Sequence, residues 1–147
     1  MKLEKKRILL MRLLIVLLVG SVGFSIYQGY KLRVYERELT RVVENHLQIF
    51  AANAGQAEDK RIYAEQYANI TAAQEAYIVL SEKSAYDERE WEESLPGLFL
   101  KLKQVMVNDE EKFREAFSDT GGRRLMFDIS DDFEDHESIR KVYELLK

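Results

Sequence analysis

The sequence contains no cysteine, which excludes a disulfide framework, a zinc-thiolate site and thiol chemistry. One proline and seven glycines in 147 residues leave few obligatory helix breaks. The two histidines, His46 and His136, lie far apart in the chain, and their spacing predicts no metal site. No G-x-S-x-G motif accompanies the serines. We therefore predict a protein without cofactor, metal or enzymatic activity, whose fold depends on packing alone.

Acidic residues outnumber basic residues in most of the chain. Residues 31–147 contain 17 Lys or Arg and 25 Asp or Glu, a net charge of −8, whereas residues 1–12 carry five basic residues and one acid. An acidic body repels nucleic acid and anionic lipid headgroups. We therefore predict no nucleic-acid partner, and we expect protein partners that are neutral or basic.

One long apolar run stands near the N-terminus. From Ile8 to Ile26 the only charge is Arg12, and the length is close to the roughly 20 residues that a helix needs to cross a bilayer. Arg12 lies near the cationic end, where its side chain reaches the headgroups, and Tyr27 and Tyr30 fall at the opposite interface. The predicted span is marked by Ile8, Arg12, Leu13, Val19, Phe24, Ile26, Tyr27 and Tyr30.

The chain is accordingly divided into a basic tail (1–7), a transmembrane signal anchor (8–30) and an acidic helical domain (31–147). A cleaved secretory signal is the alternative, with Ser21 and Gly23, or Gly23 and Ser25, at its −3 and −1 positions. Neither pair is the favoured Ala-x-Ala, and apolar character continues through Phe24. These features favour a retained anchor in the lipid bilayer.

The orientation follows from the basic residues on either side of the run. Five basic residues lie within residues 1–12, and four follow the run, namely Lys31, Arg33, Arg37 and Arg41. The N-terminal amine and the compact KKR cluster add to the first group. We predict a single-pass membrane protein with a cytoplasmic N-terminus and an extracytoplasmic C-terminal domain.

Two helix faces are candidates for contact with a partner protein or a second copy of the chain. Ser21, Ser25 and Gly29 recur every four residues, a spacing that lets another transmembrane helix approach closely. Apolar residues then continue at three- and four-residue steps beyond the run. The predicted partner interface consists of Leu32, Tyr35, Leu39, Val42 and Ile49, together with the sole tryptophan, Trp91.

Helical periodicity and capping signals predict an all-α fold, in which the transmembrane helix continues into a small antiparallel helical bundle. The first helix is expected to end near Gly55, a second to cover about 57–82, and a third to begin at Pro96. Asn108 with Glu111 has the pattern of a capping box. Residues 118–124 are predicted to be a loop, 125–129 are either strand or helix, and a last helix covers about 134–147.

These patterns favour a membrane-anchored, non-catalytic interaction protein, serving as an accessory or regulatory subunit of a membrane or cell-surface complex. The alternative is a ligand-binding, sensor-like helical bundle, either anchored or secreted after signal cleavage. That alternative depends on a row of tyrosines (Tyr63, Tyr67 and Tyr77) and on Arg123 and Arg124 in the predicted loop.

Overall fold

The computed structural model describes residues 2–56, 60–81 and 94–147, with side chains described from residue 11 onward except at position 120. Its regular elements are all α-helices, so the all-α prediction is confirmed for the described residues. The helices are α1 (Lys2–Asn53), α2 (Lys60–Leu80), α3 (Leu95–Asn108), α4 (Glu110–Ser118), α5 (Thr120–Asp131) and α6 (His136–Leu145).

The end of α1 has the predicted glycine. Gly55 adopts a φ of 89°, a left-handed conformation that other residues adopt only with strain, and α1 stops at Asn53 just before it. A Cβ atom at Gly55 would also overlap the carbonyl group of Phe117. Glycine is therefore required here both for the backbone conformation and for the close approach of α4.

Capping residues fix the limits of α3 and α4. Ser94 caps α3 by accepting a hydrogen bond from the Gly97 amide, and Pro96 occupies the first turn as predicted. The capping box at Asn108 is wrong by one position. Asp109 is the cap of α4, and its Oδ1 accepts a hydrogen bond from the Lys112 amide at 3.0 Å. Asn108 is the last residue of α3, because the break between α3 and α4 falls at Asp109.

The loop predicted for residues 118–124 is also wrong, because α5 begins inside it. Asp119 caps this helix by accepting a hydrogen bond from the Gly121 amide at 2.8 Å. A Cβ at Gly122 would overlap the carbonyl of Ala116, so this glycine serves close packing between α4 and α5. The ambiguous segment 125–129 lies within α5 and is helical, with Met126 and Ile129 buried.

The chain divides into two compact units, residues 1–37 and 38–147. The second contains the hydrophobic core, to which the last turns of α1 and all the other helices contribute. Its largest fully buried side chains are Leu47, Phe50, Ile70, Leu95, Leu98, Phe99, Leu102, Phe113, Phe117, Met126, Ile129 and Ile139. The predicted antiparallel arrangement and the predicted boundary at residue 30 both remain predictions.

Candidate functional site

The predicted span lies in the first unit, and its side chains are exposed from Met11 onward. α1 is long and apolar enough to cross a membrane, and none of its most apolar 18-residue window is buried by the described part of the chain. The large apolar side chains from Met11 to Ile26 are each between 52% and 70% exposed. Ile8 lies in α1, in the portion whose side chains are not described. This apolar surface, which no described residue covers, is the most prominent feature of the unit.

The end of the apolar run carries a cation and two aromatic rings. Tyr27 and Tyr30 are both exposed, and Lys31 Nζ lies 6.0 Å from the centroid of the Tyr27 ring. An ammonium group above a tyrosine face is the combination that suits the boundary between hydrocarbon and headgroups. The sequence identified the tyrosines, but the pairing with Lys31 required the helix geometry.

The small-residue face of Ser21, Ser25 and Gly29 is exposed as well. The Ser25 hydroxyl donates to the backbone carbonyl of Ser21 at 3.0 Å, so its hydrogen-bonding need is met inside its own helix. A Cβ added at Gly29 would meet no atom within 4 Å. No described residue therefore fills this face, and its use in helix docking stays a prediction.

The residues of the predicted partner interface differ in their exposure. Leu32 and Tyr35 are exposed in the first unit. In the second unit Leu39 packs partly against the core, whereas Val42 and Ile49 remain 40% and 38% exposed. Trp91 lies outside the described residues. The available apolar surface of α1 in the second unit is thus reduced to Val42 and Ile49.

The core side of α1 contains apolar side chains that are not part of the predicted partner interface. Val43, Leu47 and Phe50 are fully buried. The Phe50 ring lies 6.1 Å from that of Phe113 and 5.5 Å from that of Phe117, both in edge-to-face geometry. Phe50 thus packs α1 against α4, and all three residues are buried and therefore unavailable to a partner.

His46 joins α1 to α2. Its Nδ1 lies 2.7 Å from Oδ1 of Asn69, and the Asn69 Nδ2 donates to the backbone carbonyl of Glu65 at 2.9 Å. Because the second bond makes Oδ1 the acceptor, Nδ1 of His46 carries the proton. Gln66 makes a further link, donating from Nε2 to the Asn53 carbonyl at 2.7 Å. These contacts give His46 a structural role between α1 and α2.

The tyrosine row is engaged in packing at two of its three positions. The Tyr63 hydroxyl donates to the Met106 carbonyl, and burial, followed by the charge of Glu110, raises the pKa of Tyr63 to about 12. The Tyr77 ring makes edge-to-face contacts with Phe99 and Phe133, and burial raises its pKa as well. Packing thus accounts for both residues without a bound ligand.

The charged loop of the ligand-binding alternative is the first turn of α5. Arg123 donates from Nε to the Asp119 carbonyl at 3.4 Å, a bond within its own helix. Among the described residues, no group of three or more His, Cys, Asp or Glu side chains is placed to hold a metal ion. The acidic segment near the C-terminus instead supplies caps, for example Asp135 Oδ1, which accepts from the Ser138 amide at 3.1 Å.

No family model matches the chain, and no curated protein or solved structure does so either.

Proposed function

We propose that this chain is a single-pass, membrane-anchored interaction protein without catalytic activity, an accessory or regulatory subunit of a membrane or cell-surface complex. Residues 8–30 form the span, and residues 31–147 form a small antiparallel helical bundle outside the cytoplasm. The observation that carries the proposal is the long apolar surface of α1, which the described part of the chain leaves unburied.

Burial of apolar side chains and internal hydrogen bonding together favour α1 in a bilayer. Burying a large apolar side chain is worth about 1.5–3 kcal/mol, and the run presents eleven exposed ones between Met11 and Ile26. A helix satisfies its own backbone groups, so it enters hydrocarbon without unpaired amides. A bilayer supplies the missing apolar environment along the whole circumference of the helix.

The body provides the interaction surface in this proposal. Its net charge of −8 favours a neutral or basic partner, and charge of this size steers association more than it determines affinity. Val42 and Ile49 are exposed seven residues apart on α1, which places them on one face two turns apart. We assign the contact with a partner to this face.

The anchor is tested by one pair of substitutions in α1. Leu17 and Val34 are both exposed apolar residues, but only Leu17 lies within the proposed span. An arginine at the centre of a span costs about 2.5–3.5 kcal/mol on insertion, so Leu17→Arg should lower the fraction of the protein that inserts and is recovered in alkali-washed membranes. Val34→Arg should remain in the membrane fraction. Equal retention of the two variants, or a wild-type protein found in the soluble fraction, contradicts the anchor.

The partner face is tested by photo-cross-linking in native membranes. A benzophenone amino acid at Ile49 should form a reproducible adduct with one membrane or cell-surface protein. The same probe at Gln48, an exposed position on the same helix, is the control and should give little of that adduct. Adducts that do not differ between the two positions contradict the assignment of this face.

A further inference from the structure

A second stripe of uncovered side chains lies on α1 within the first unit. Its members are spaced by four, three, four and three residues, and each is exposed in the structure. At 100° per residue they fall within a stripe about 80° wide. We call this stripe the seam, and it consists of Ser21, Ser25, Gln28, Leu32 and Tyr35.

We propose that the seam is occupied by a second copy of this chain, with two α1 helices packed in parallel. The inference rests on the proposed function, because two copies with the same orientation in a membrane must lie parallel. In a parallel dimer with twofold symmetry each seam residue meets its own counterpart. The alternating three- and four-residue spacing is the one that keeps such a seam in register.

Charge complementarity favours a second copy as the occupant. Lys31 and Glu36 flank the seam on opposite sides, five residues apart, at the g and e positions of a heptad that places Leu32 at a. In a parallel dimer each Lys31 therefore faces Glu36 of the other copy, which gives two attractive pairs by symmetry. The pairing requires that each carboxylate accept one further donor, within its capacity of about four lone pairs, and that the Lys31 ammonium turn toward it from the face of Tyr27.

The remaining charges near the seam are placed where a dimer tolerates them. Arg33 and Arg37 lie more than 100° from the centre of the seam, on the outward face of the helix. Their guanidinium groups therefore do not confront their counterparts in the other copy. Glu38 lies about 100° from the centre of the seam on the Lys31 side, and its charge is paired with Arg41 of its own helix at 3.4 Å.

The seam also has polar and small residues where it enters the apolar run. Gln28 can exchange amide hydrogen bonds with its counterpart, a pairing that fixes register between transmembrane helices. Ser25 needs no partner of its own, because its hydroxyl bonds to the Ser21 carbonyl. The large apolar side chains of Val19 and Ile26 lie off the seam, where they face lipid.

The length of the seam makes membrane confinement necessary. The next position at this spacing, Leu39, packs against the core of the second unit, so the seam ends at Tyr35. Three heptads or fewer are marginal for a coiled coil in water. Holding both copies in one bilayer raises their effective concentration, which compensates for the short contact.

The absence of cysteine makes cross-linking a clean test in the full-length protein. Single cysteines are introduced at seam positions, as Leu32→Cys and Tyr35→Cys, and at outward positions, as Val34→Cys and Arg37→Cys. After oxidation in membranes, we expect covalent dimers at the seam positions at least several-fold more abundant than at the outward positions. A profile without this difference, or one that peaks at the outward positions, overturns the seam.

Exchanging the charges of Lys31 and Glu36 tests their pairing independently of the cysteine cross-linking. Lys31→Glu should lower the association constant for dimerisation at least about fourfold, because two attractive pairs each contributing about twofold are lost and like charges replace them. Glu36→Lys should have the same effect, and the double exchange should restore dimerisation. Additive loss in the double variant overturns the assigned pairing.

The outcomes separate this inference from the proposed function. If the wild-type protein is in the soluble fraction, the anchor fails and the parallel dimer fails with it. If the protein is in the membrane and Leu32→Cys yields no homodimer, or is cross-linked to a different protein, the second copy is wrong and the anchor stands. Covalent dimers that form only at the seam positions, together with dimerisation restored in the double charge variant, support both the anchor and the second copy.

Discussion

Replacing Phe113 by alanine tests the packing of the body most severely. Phe113 is fully buried in α4, and its ring lies 5.0 Å from Phe117, 5.6 Å from Tyr63 and 6.1 Å from Phe50. A buried Phe→Ala change costs about 3–5 kcal/mol through lost transfer energy and the cavity that remains. The three ring contacts place the expected value near the upper end of that range.

This loss is large against the whole stability of the unit. A unit of this size is stabilised by about 5–15 kcal/mol, so Phe113→Ala should remove about a third or more of it. The corresponding fall in Tm is about 15–20 °C. Phe113→Leu keeps most of the volume while losing the ring contacts, and should cost less than Phe113→Ala but remain clearly destabilising.

The assay is urea and thermal unfolding of the full-length protein in detergent micelles, followed by the near-ultraviolet circular dichroism of the tyrosines. Phe127→Ala is the matched control, because Phe127 is 39% exposed on the neighbouring helix and should cost less than about 1 kcal/mol. A Phe113→Ala variant no less stable than the Phe127→Ala control would refute the ring cluster as the centre of the core.

Three further changes test individual contacts by unfolding. Gly55→Ala should cost about 1–3 kcal/mol, because its φ is positive and its Cβ overlaps the Phe117 carbonyl; a neutral change contradicts this. Tyr63→Phe should cost about 0.5–1.5 kcal/mol by leaving the Met106 carbonyl without its donor. Since the folded pKa of Tyr63 is raised from 10.0 to about 12, stability should fall as pH rises between these values, and less steeply in the variant. Asp135→Ala should remove the α6 cap, at about 1 kcal/mol. Because hydrogen bonds lower the pKa of Asp135, its charge-dependent contribution should vanish as pH falls through the folded pKa, below 3.8.

The sequence predicts the helices well where spacing and capping act locally. Phe113 and Phe117 lie four residues apart, with Ala116 between them, and this spacing predicts the buried face of α4. The end of α1 follows from Gly55 for the same local reason. Such predictions need only the geometry of one helix.

The errors arise where a contact between residues far apart in the sequence determines the local structure. Gly121 and Gly122 suggest a loop, yet the Asp119 cap and the close approach of the Ala116 carbonyl make them the start of α5. The apolar stripe on α1 is wide, and its spacing does not indicate which of its residues pack against the core. The phenylalanines of α4 decide this by packing on Phe50, which leaves Ile49 at the surface. No spacing within α1 contains that information.

The site predictions differ in kind from the fold predictions. The exposed apolar run of α1 is evident in both sequence and structure, because length and composition suffice to define it. Partner surfaces depend on a second molecule, and the chain alone gives only their exposure and charge. The heptad placement of Lys31 and Glu36 is the strongest such indication that the chain provides.

The central claim is that residues 8–30 are a retained span with the body outside the cytoplasm. Intact-mass measurement of the membrane-fractionated protein, combined with protease digestion of sealed vesicles whose cytoplasmic face is inside, tests it most directly. We predict a mass that includes the whole N-terminal segment through residue 30, and digestion of the body to leave a protected fragment containing residues 8–30. A mass that lacks the first twenty or so residues, as signal cleavage produces, or a body that resists the protease until the vesicles are opened, would contradict the account.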